Sequence, residues 1–323
     1  MPRTLPLVIA LIAAVGLLGC DKLDPNSPAA WIEKLKTPER TAAIAKLGEM
    51  KAKEAIGPLM EAYKEGRDKY EIIAALTQIG DKAAVPTLLE ALQDTSAGKA
   101  GQLAATTLRE WEVKEHSDVY INVASNKTAT NEQRYGALQL LAEYPVPKAE
   151  QPLLTILNGD PDLQPIAFNG LAAEALGKLK SAQAVPGLIA CLWLDDHLHR
   201  NEVPKCRLAL NRVGAAAAVP ELIKTLERKN RQVEDRAKKY KFHIGGLIEA
   251  KTAELLGDMP SVDAVEPLIA ALKKNEEMPV SVQNDPKKAQ IFVMGLYCVA
   301  ASAVLFVVSR RLIARNTVGE ALQ

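Results

Sequence analysis

The stretch Asp195-Asp196-His197-Leu198-His199, set between Cys191 and Cys206, is the densest group of chemically capable side chains in the sequence. Two imidazoles beside two carboxylates are donors of the kind that hold transition metals. The i, i+2 spacing puts His197 and His199 on different sides of a helix, so only a loop could bring both to one ion. Ordinary inter-helix loop residues satisfy the same pattern, and no metal ligand set is assigned to them. Cys191 and Cys206 offer a second chemistry. They flank this segment, one closing a helical unit and the other opening the next. In an oxidising compartment they are placed to form a disulfide, with two buried thiols as the alternative.

A third group is electrostatic. Between residues 224 and 241, Lys224, Arg228, Lys229, Arg231, Arg236, Lys238, Lys239 and Lys241 outnumber Glu227, Glu234 and Asp235, with Tyr240 and Phe242 interleaved. Such a segment is either a patch for an anionic lipid surface or acidic protein, or a solvated face at extended helix ends. Nothing else suggests chemistry. There is no Ser/His/Asp elbow, no phosphate-cradling glycine loop and no zinc-type Cys/His spacing. His116 and His243 stand alone. The sequence therefore predicts no enzymatic activity, no catalytic residues, no bound metal and no cofactor.

The elements that must position these groups are helices. Aromatic residues make up only 4 % of the 323, while Ala, Leu and Lys abound, a composition that favours packed helices over sheets. Formal net charge is only +1, so no global field argues for nucleic acid. Four cysteines are too few for a disulfide-built scaffold.

One pattern recurs: an amphipathic helix ending in an aliphatic residue and Gly, a short polar turn, then Ala-Val-Pro or a variant opening a second apolar helix. It reads Lys46-Leu47-Gly48 with Ala55-Ile56-Gly57-Pro58, and Gln78-Ile79-Gly80 with Ala84-Val85-Pro86. It returns as Ala175-Leu176-Gly177 with Ala184-Val185-Pro186, Arg212-Val213-Gly214 with Ala218-Val219-Pro220, and Leu255-Leu256-Gly257 with Ala264-Val265-Glu266-Pro267. A weaker copy runs from Leu140-Leu141-Ala142 to Gln151-Pro152-Leu153. Residues 98–125 fill the space of one degenerate copy. Glycine can end the first helix in the left-handed conformation, and proline suits the first turn of the second. Neither helix of a pair can bury its apolar face alone, so copies must stack. The period breaks between Pro220 and Pro267, where the excess falls on residues 226–245, inside the basic segment.

These repeats resemble the HEAT-like repeats of phycobilisome lyases and of many bacterial scaffold proteins, over about residues 30–275. The resemblance implies an all-α fold, a right-handed α-solenoid of stacked helix pairs with about six to seven units. It says little about function, because the same solenoid serves unrelated partners.

At the N-terminus, Arg3 precedes an apolar run from Leu5 to Leu18, followed by Gly19 and Cys20. The length suits a secretory signal and is short for a spanning helix. Leu17-Leu18-Gly19-Cys20 resembles the lipobox of bacterial lipoproteins: Leu, a small or aliphatic residue, Gly or Ala, then Cys. That resemblance implies acylation of Cys20 and cleavage before it, leaving 304 of the 323 residues. An ordinary signal peptide or an N-terminal membrane helix is the alternative. Asp21 resembles the inner-membrane retention signal of enterobacterial lipoproteins.

Residues 291–308 carry no charge over eighteen positions and are followed by Arg310, Arg311 and Arg315. A helix of that length spans roughly 27 Å, close to the thickness of a hydrocarbon core, and its basic flank suits the cytoplasmic side. A buried capping helix of the solenoid is the alternative.

The expected organisation is a signal peptide at 1–19, a linker at 20–29, the repeat solenoid at 30–285, and a C-terminal apolar helix with basic tail at 286–323, its candidate span at 291–309. The expected function is a non-enzymatic, lipid-anchored scaffold of the cell envelope. It binds an unknown protein partner and meets the membrane through acylated Cys20 and the candidate span, with no nucleic acid. The expected location is the periplasmic face of the inner membrane, the outer membrane being the alternative. A spacer without a specific partner and a lyase-like enzyme are the competing functions.

Overall fold

A computed structural model describes residue 24 and residues 26–194, 202–239, 247–259 and 261–274. Cys20, Asp21, His197, His199, Lys241, His243 and the 291–308 run lie outside these residues. Among the described residues the chain is all-helical. The sixteen α-helices are α1 Pro28–Lys34, α2 Arg40–Glu49, α3 Ile56–Lys64, α4 Lys69–Ile79, α5 Val85–Gln93, α6 Lys99–Glu110, α7 Ser117–Ser125 and α8 Asn131–Glu143, followed by α9 Glu150–Leu157, α10 Ile166–Lys178, α11 Val185–Cys191, α12 Glu202–Val213, α13 Ala215–Leu226, α14 Arg231–Lys239, α15 Leu247–Asp258 and α16 Val265–Lys274. The helices pack in adjacent pairs, the arrangement of a HEAT-like solenoid. None of them is long and apolar enough to cross a membrane.

In chain order the repeat pattern maps onto α2 with α3, α4 with α5, α8 with α9, α10 with α11, α12 with α13, and α15 with α16, while the degenerate copy at 98–125 holds α6 in the first unit and α7 in the second. The excess length after Pro220 holds one additional helix, α14. Two compact units divide at Trp111 and Glu112. In the first, α2 lies against α4, and α4 against α6. Its core is built from Ile44, Leu47, Ile72, Leu76, Leu88 and Leu108, all sealed from solvent. The hydroxyls of Thr77 and Thr107 meet at 2.9 Å across α4 and α6, which satisfies the fully buried Thr107 within the apolar contact. In the second unit α10 packs on α8, α9 and α12, and α13 packs on α12 and α15.

The second helix of each repeat starts more tightly than the sequence suggests. A single turn of 3-10 helix precedes α3, α5, α9, α11 and α16, at Lys53–Ala55, Lys82–Ala84, Pro147–Ala149, Ala182–Ala184 and Val262–Ala264. Asp81 and Ser261 cap two of these turns by accepting from the backbone N–H groups of Ala83 and Asp263. Pro86 and Pro186 then take the second helical position, where a missing donor costs nothing. The α12–α13 repeat departs from this. Ala215 to Ala218 favour α-helix so strongly that the tight turn is absorbed into α13, leaving Pro220 inside the helix.

The glycine reading is corrected at three positions. Gly80 does close α4 in the left-handed region, with φ 75°. Gly48, Gly177 and Gly257 instead lie inside α2, α10 and α15. At Gly48 and Gly177 glycine permits close approach. A Cβ on Gly177 would stand 2.6 Å from Cα of Ala209 in α12, and one on Gly48 would stand 3.0 Å from Cα of Ala75 in α4. The left-handed residue at these helix ends is a lysine three positions on: Lys51 (φ 51°) and Lys180 (φ 54°). The next N–H reaches back to the helix, from Ala52 to the Leu47 carbonyl and from Ser181 to the Leu176 carbonyl, both 3.1 Å. These are Schellman closures with lysine where glycine is usual.

Candidate functional site

Two cavities lie in the second unit, where the eight-residue loop 158–165 joins α9 to α10. The preceding turns from second to first helices, 65–68, 94–98 and 126–130, are four or five residues long. A cavity of about 850 Å³ opens on one side of this loop, walled by the end of α7, the start of α8, and α9. A smaller cavity of about 250 Å³ lies on its other side, against α14. Gly159 and Asp160 line both.

The loop is held from beneath. Asn169 of α10 is fully buried, and its Nδ2 donates to the carbonyls of Leu157 (2.8 Å), Gly159 (3.2 Å) and Ile156 (3.3 Å). One amide thus satisfies acceptors that the end of α9 would otherwise leave unpaired. Gln164 Nε2 adds a bond to the Ile156 carbonyl at 2.8 Å. From outside, Lys239 at the end of α14 pairs with Asp160 and Asp162, each at 2.6 Å. The hydrogen bond from Lys239 holds the Asp160 carboxyl below its ordinary value. Leu163 at the loop crest is 85 % exposed and lines the larger cavity.

Arg134 forms the inner wall of that cavity. It sits on the first turn of α8, after a capping box in which Thr130 and Gln133 exchange bonds with each other's backbone N–H. Arg134 is only 8 % exposed. Its Nε donates to the Ala124 carbonyl near the end of α7 at 3.1 Å, and its guanidinium carbon stands 4.7 Å from the centre of the Phe168 ring. Burial pushes its pKa down, and among the described residues no carboxylate offsets this.

Cys191 and Cys206 are both fully buried, with sulfurs in bonding contact and Cα atoms 6.0 Å apart. The bond ties the end of α11 to α12. The metal-capable residues between them lie outside the described residues, and no group of metal-binding side chains occurs among those described. His116 is exposed just before α7.

The basic segment does not present its charge as one free surface. Arg228 reaches Glu234 at 2.8 Å and Glu249 at 3.3 Å, and Glu234 raises its pKa. Lys229 pairs with Glu227 at 2.7 Å, and Lys239 is engaged with the loop aspartates. Arg236 lines the smaller cavity, while Arg231 and Lys238 are exposed along α14. The hidden ion pairs form because the acids lie between the cations and on neighbouring elements, which a count of net charge does not register.

Sequence reasoning missed Arg134, Leu163 and Asn169. The turn-rich Asn158-Gly159-Asp160-Pro161 announces a loop, but not that it stands between two cavities. Arg134 occupies the weaker copy of the repeat that lacks the terminal glycine, and it carries no motif.

Residues 68–94 and 171–192 match the PBS lyase HEAT-like repeat family. The first segment covers α4 and α5, and the second covers the latter part of α10 and all of α11, so the HEAT-like character of the repeats is independently supported. A second similarity is to phycocyanobilin lyase subunit alpha from Synechococcus elongatus, 35 % identical over 106 residues. The match covers 31 % of this chain and 38 % of that protein. The expectation that the chain has no enzymatic activity is thereby overturned. Its relative is an enzyme, and over that third of the chain the similarity points to a lyase-type family. The absence of a recognisable catalytic motif was not a sufficient ground, because repeat proteins assemble sites from side chains on separate helices.

Proposed function

We propose that this chain is a HEAT-like repeat scaffold of the bacterial cell envelope that binds another protein along its second unit. The observation that carries this reading is the pair of cavities flanking loop 158–165. A loop buttressed by Asn169 and Lys239, bearing the exposed Leu163, has the form of a built binding edge rather than a plain connection. HEAT-like repeats serve generally as protein-interaction modules. Acylated Cys20 tethers the scaffold, with Asp21 directing it to the periplasmic face of the inner membrane, and 291–309 serves as a second tether. The lipobox-like Leu17 to Cys20 and the uncharged run before Arg310 support these two assignments.

Photo-crosslinking from Leu163 in native membranes is expected to trap one abundant, specific protein. The absence of any adduct would favour a spacer without a partner. Intact mass of the membrane-extracted protein tests the anchor, since an unmodified N-terminus other than Cys20 contradicts it. Protease shaving of spheroplasts tests the span, which requires a protected fragment containing 291–308.

The similarity to phycocyanobilin lyase subunit alpha favours a second reading, in which the chain contributes to a lyase-type reaction. Incubation with phycocyanobilin, followed by visible absorption and by mass analysis for adducts, tests it. An unchanged spectrum together with no adduct removes this reading.

A further inference from the structure

We infer that the larger cavity is a recognition site for an acidic side chain carried on an extended segment of the partner protein, with Arg134 as its anchor. The inference rests on the protein-binding reading above and narrows it to one chemistry.

Three observations converge. The first is the state of Arg134. A guanidinium buried to this degree normally has a carboxylate beside it, because an unpaired buried charge is costly. Here the protein supplies one carbonyl, at Ala124, and the Phe168 ring face. Its terminal nitrogens meet no acceptor among the described residues, yet they are not sealed away. A planar fork with free donors matches a carboxylate in two-point geometry.

The second observation is the charge of the surroundings. Lys127 stands exposed at the mouth of the same cavity. Asp160 is the acid on its wall, and Lys239 already holds it. With Asp160 so engaged, Arg134 and Lys127 have no matching acid on the cavity lining, and an incoming carboxylate would supply negative charge there. Third, the walls suit a peptide. Asn131 offers a side-chain amide, and Gln151, Gln164 and Thr155, whose donors are engaged within the chain, offer oxygens that accept from the N–H groups of a main chain in extended form. Pro152, Ile156 and Leu163 supply apolar wall for the residues on either side of the acidic one. A volume of about 850 Å³ accommodates several such residues.

The test uses the full chain in detergent micelles and two fluorescein-labelled heptapeptides. One carries a single central glutamate flanked by leucines, and the other has glutamine in its place. Fluorescence anisotropy is expected to show the glutamate peptide binding roughly tenfold or more tightly, as a charge-assisted bidentate pair gives. Arg134→Gln should abolish that preference, and Lys64→Gln, a residue of the first unit that does not line the cavity, should leave it intact. Should Arg134→Gln lose helical circular dichroism, Lys127→Glu carries the test. It puts a negative charge at the mouth without disturbing the core and should also erase the preference. Equal binding of both peptides, or a preference that survives in both cavity variants, overturns the inference. So does displacement by free glutarate at the same concentration as the peptide, which would mark a small-anion site. A crosslinked partner that still binds Arg134→Gln unchanged would overturn this inference alone and leave the scaffold reading standing.

Discussion

Lys239 and Asp160 are separated by 79 positions in the chain and by 2.6 Å in the fold. The pair joins α14, the helix that interrupts the repeat, to loop 158–165, which divides the two cavities. The inserted helix thus steadies the edge that the proposed partner meets.

Lys239→Met is expected to raise the Asp160 pKa, because Lys239 is the main cause of its depression. The sign follows from linkage: a carboxyl whose folded value is lowered contributes stability above its ordinary value of about 3.9, lost as pH falls through the folded value. In the variant that acid-side dependence should shrink. A carboxyl-carbon NMR titration of Asp160 checks the shift, and an unchanged midpoint contradicts the pairing. Because Asp160 is exposed, global stability near neutral pH should barely move.

Gly177→Ala should destabilise the second unit by about 1–3 kcal/mol, the usual cost of overpacking. Its new methyl would meet the Ala209 backbone, which cannot rotate aside. Urea unfolding provides the measurement. A loss well under this range would mean that α10 and α12 separate easily.

Lys180→Gly is expected to act in the opposite direction. Relieving a left-handed lysine at φ 54° should gain up to ~1 kcal/mol after glycine's greater unfolded-state entropy is subtracted. Lys51→Gly at φ 51° should behave alike in the first unit. Loss of stability in both variants would show that the lysine side chains contribute more than their backbone strain costs.

Reduction of the Cys191–Cys206 bond should cost roughly 3 kcal/mol, as expected for a loop of about fifteen residues. The non-reduced chain should be about 2 Da lighter than the reduced one, two thiol hydrogens being lost on closure. Peptide mapping under non-reducing conditions should recover the two cysteines linked. Free thiols in protein taken directly from cells would place the chain in a reducing environment and weaken the exported reading.

The sequence by itself determined the helical repeat. Amphipathic helical periodicity, Ala-Val-Pro starts and the irregular spacing after Pro220 are short-range signals, because helix propensity, proline geometry and turn formation act within a few residues. They located the paired helices and the extra length that became α14. Other features were decided only by the tertiary structure. Gly177 looks like a helix terminator until Ala209, 32 positions later, proves to lie against it. Arg228 and Lys239 count as free charge until Glu249 and Asp160 come into reach. Arg134 carries no mark in a one-dimensional pattern, since what distinguishes it is a cavity and the lack of a neighbouring carboxylate. Burial and charge compensation depend on distances between separate helices, and those distances exist only once the repeats have stacked.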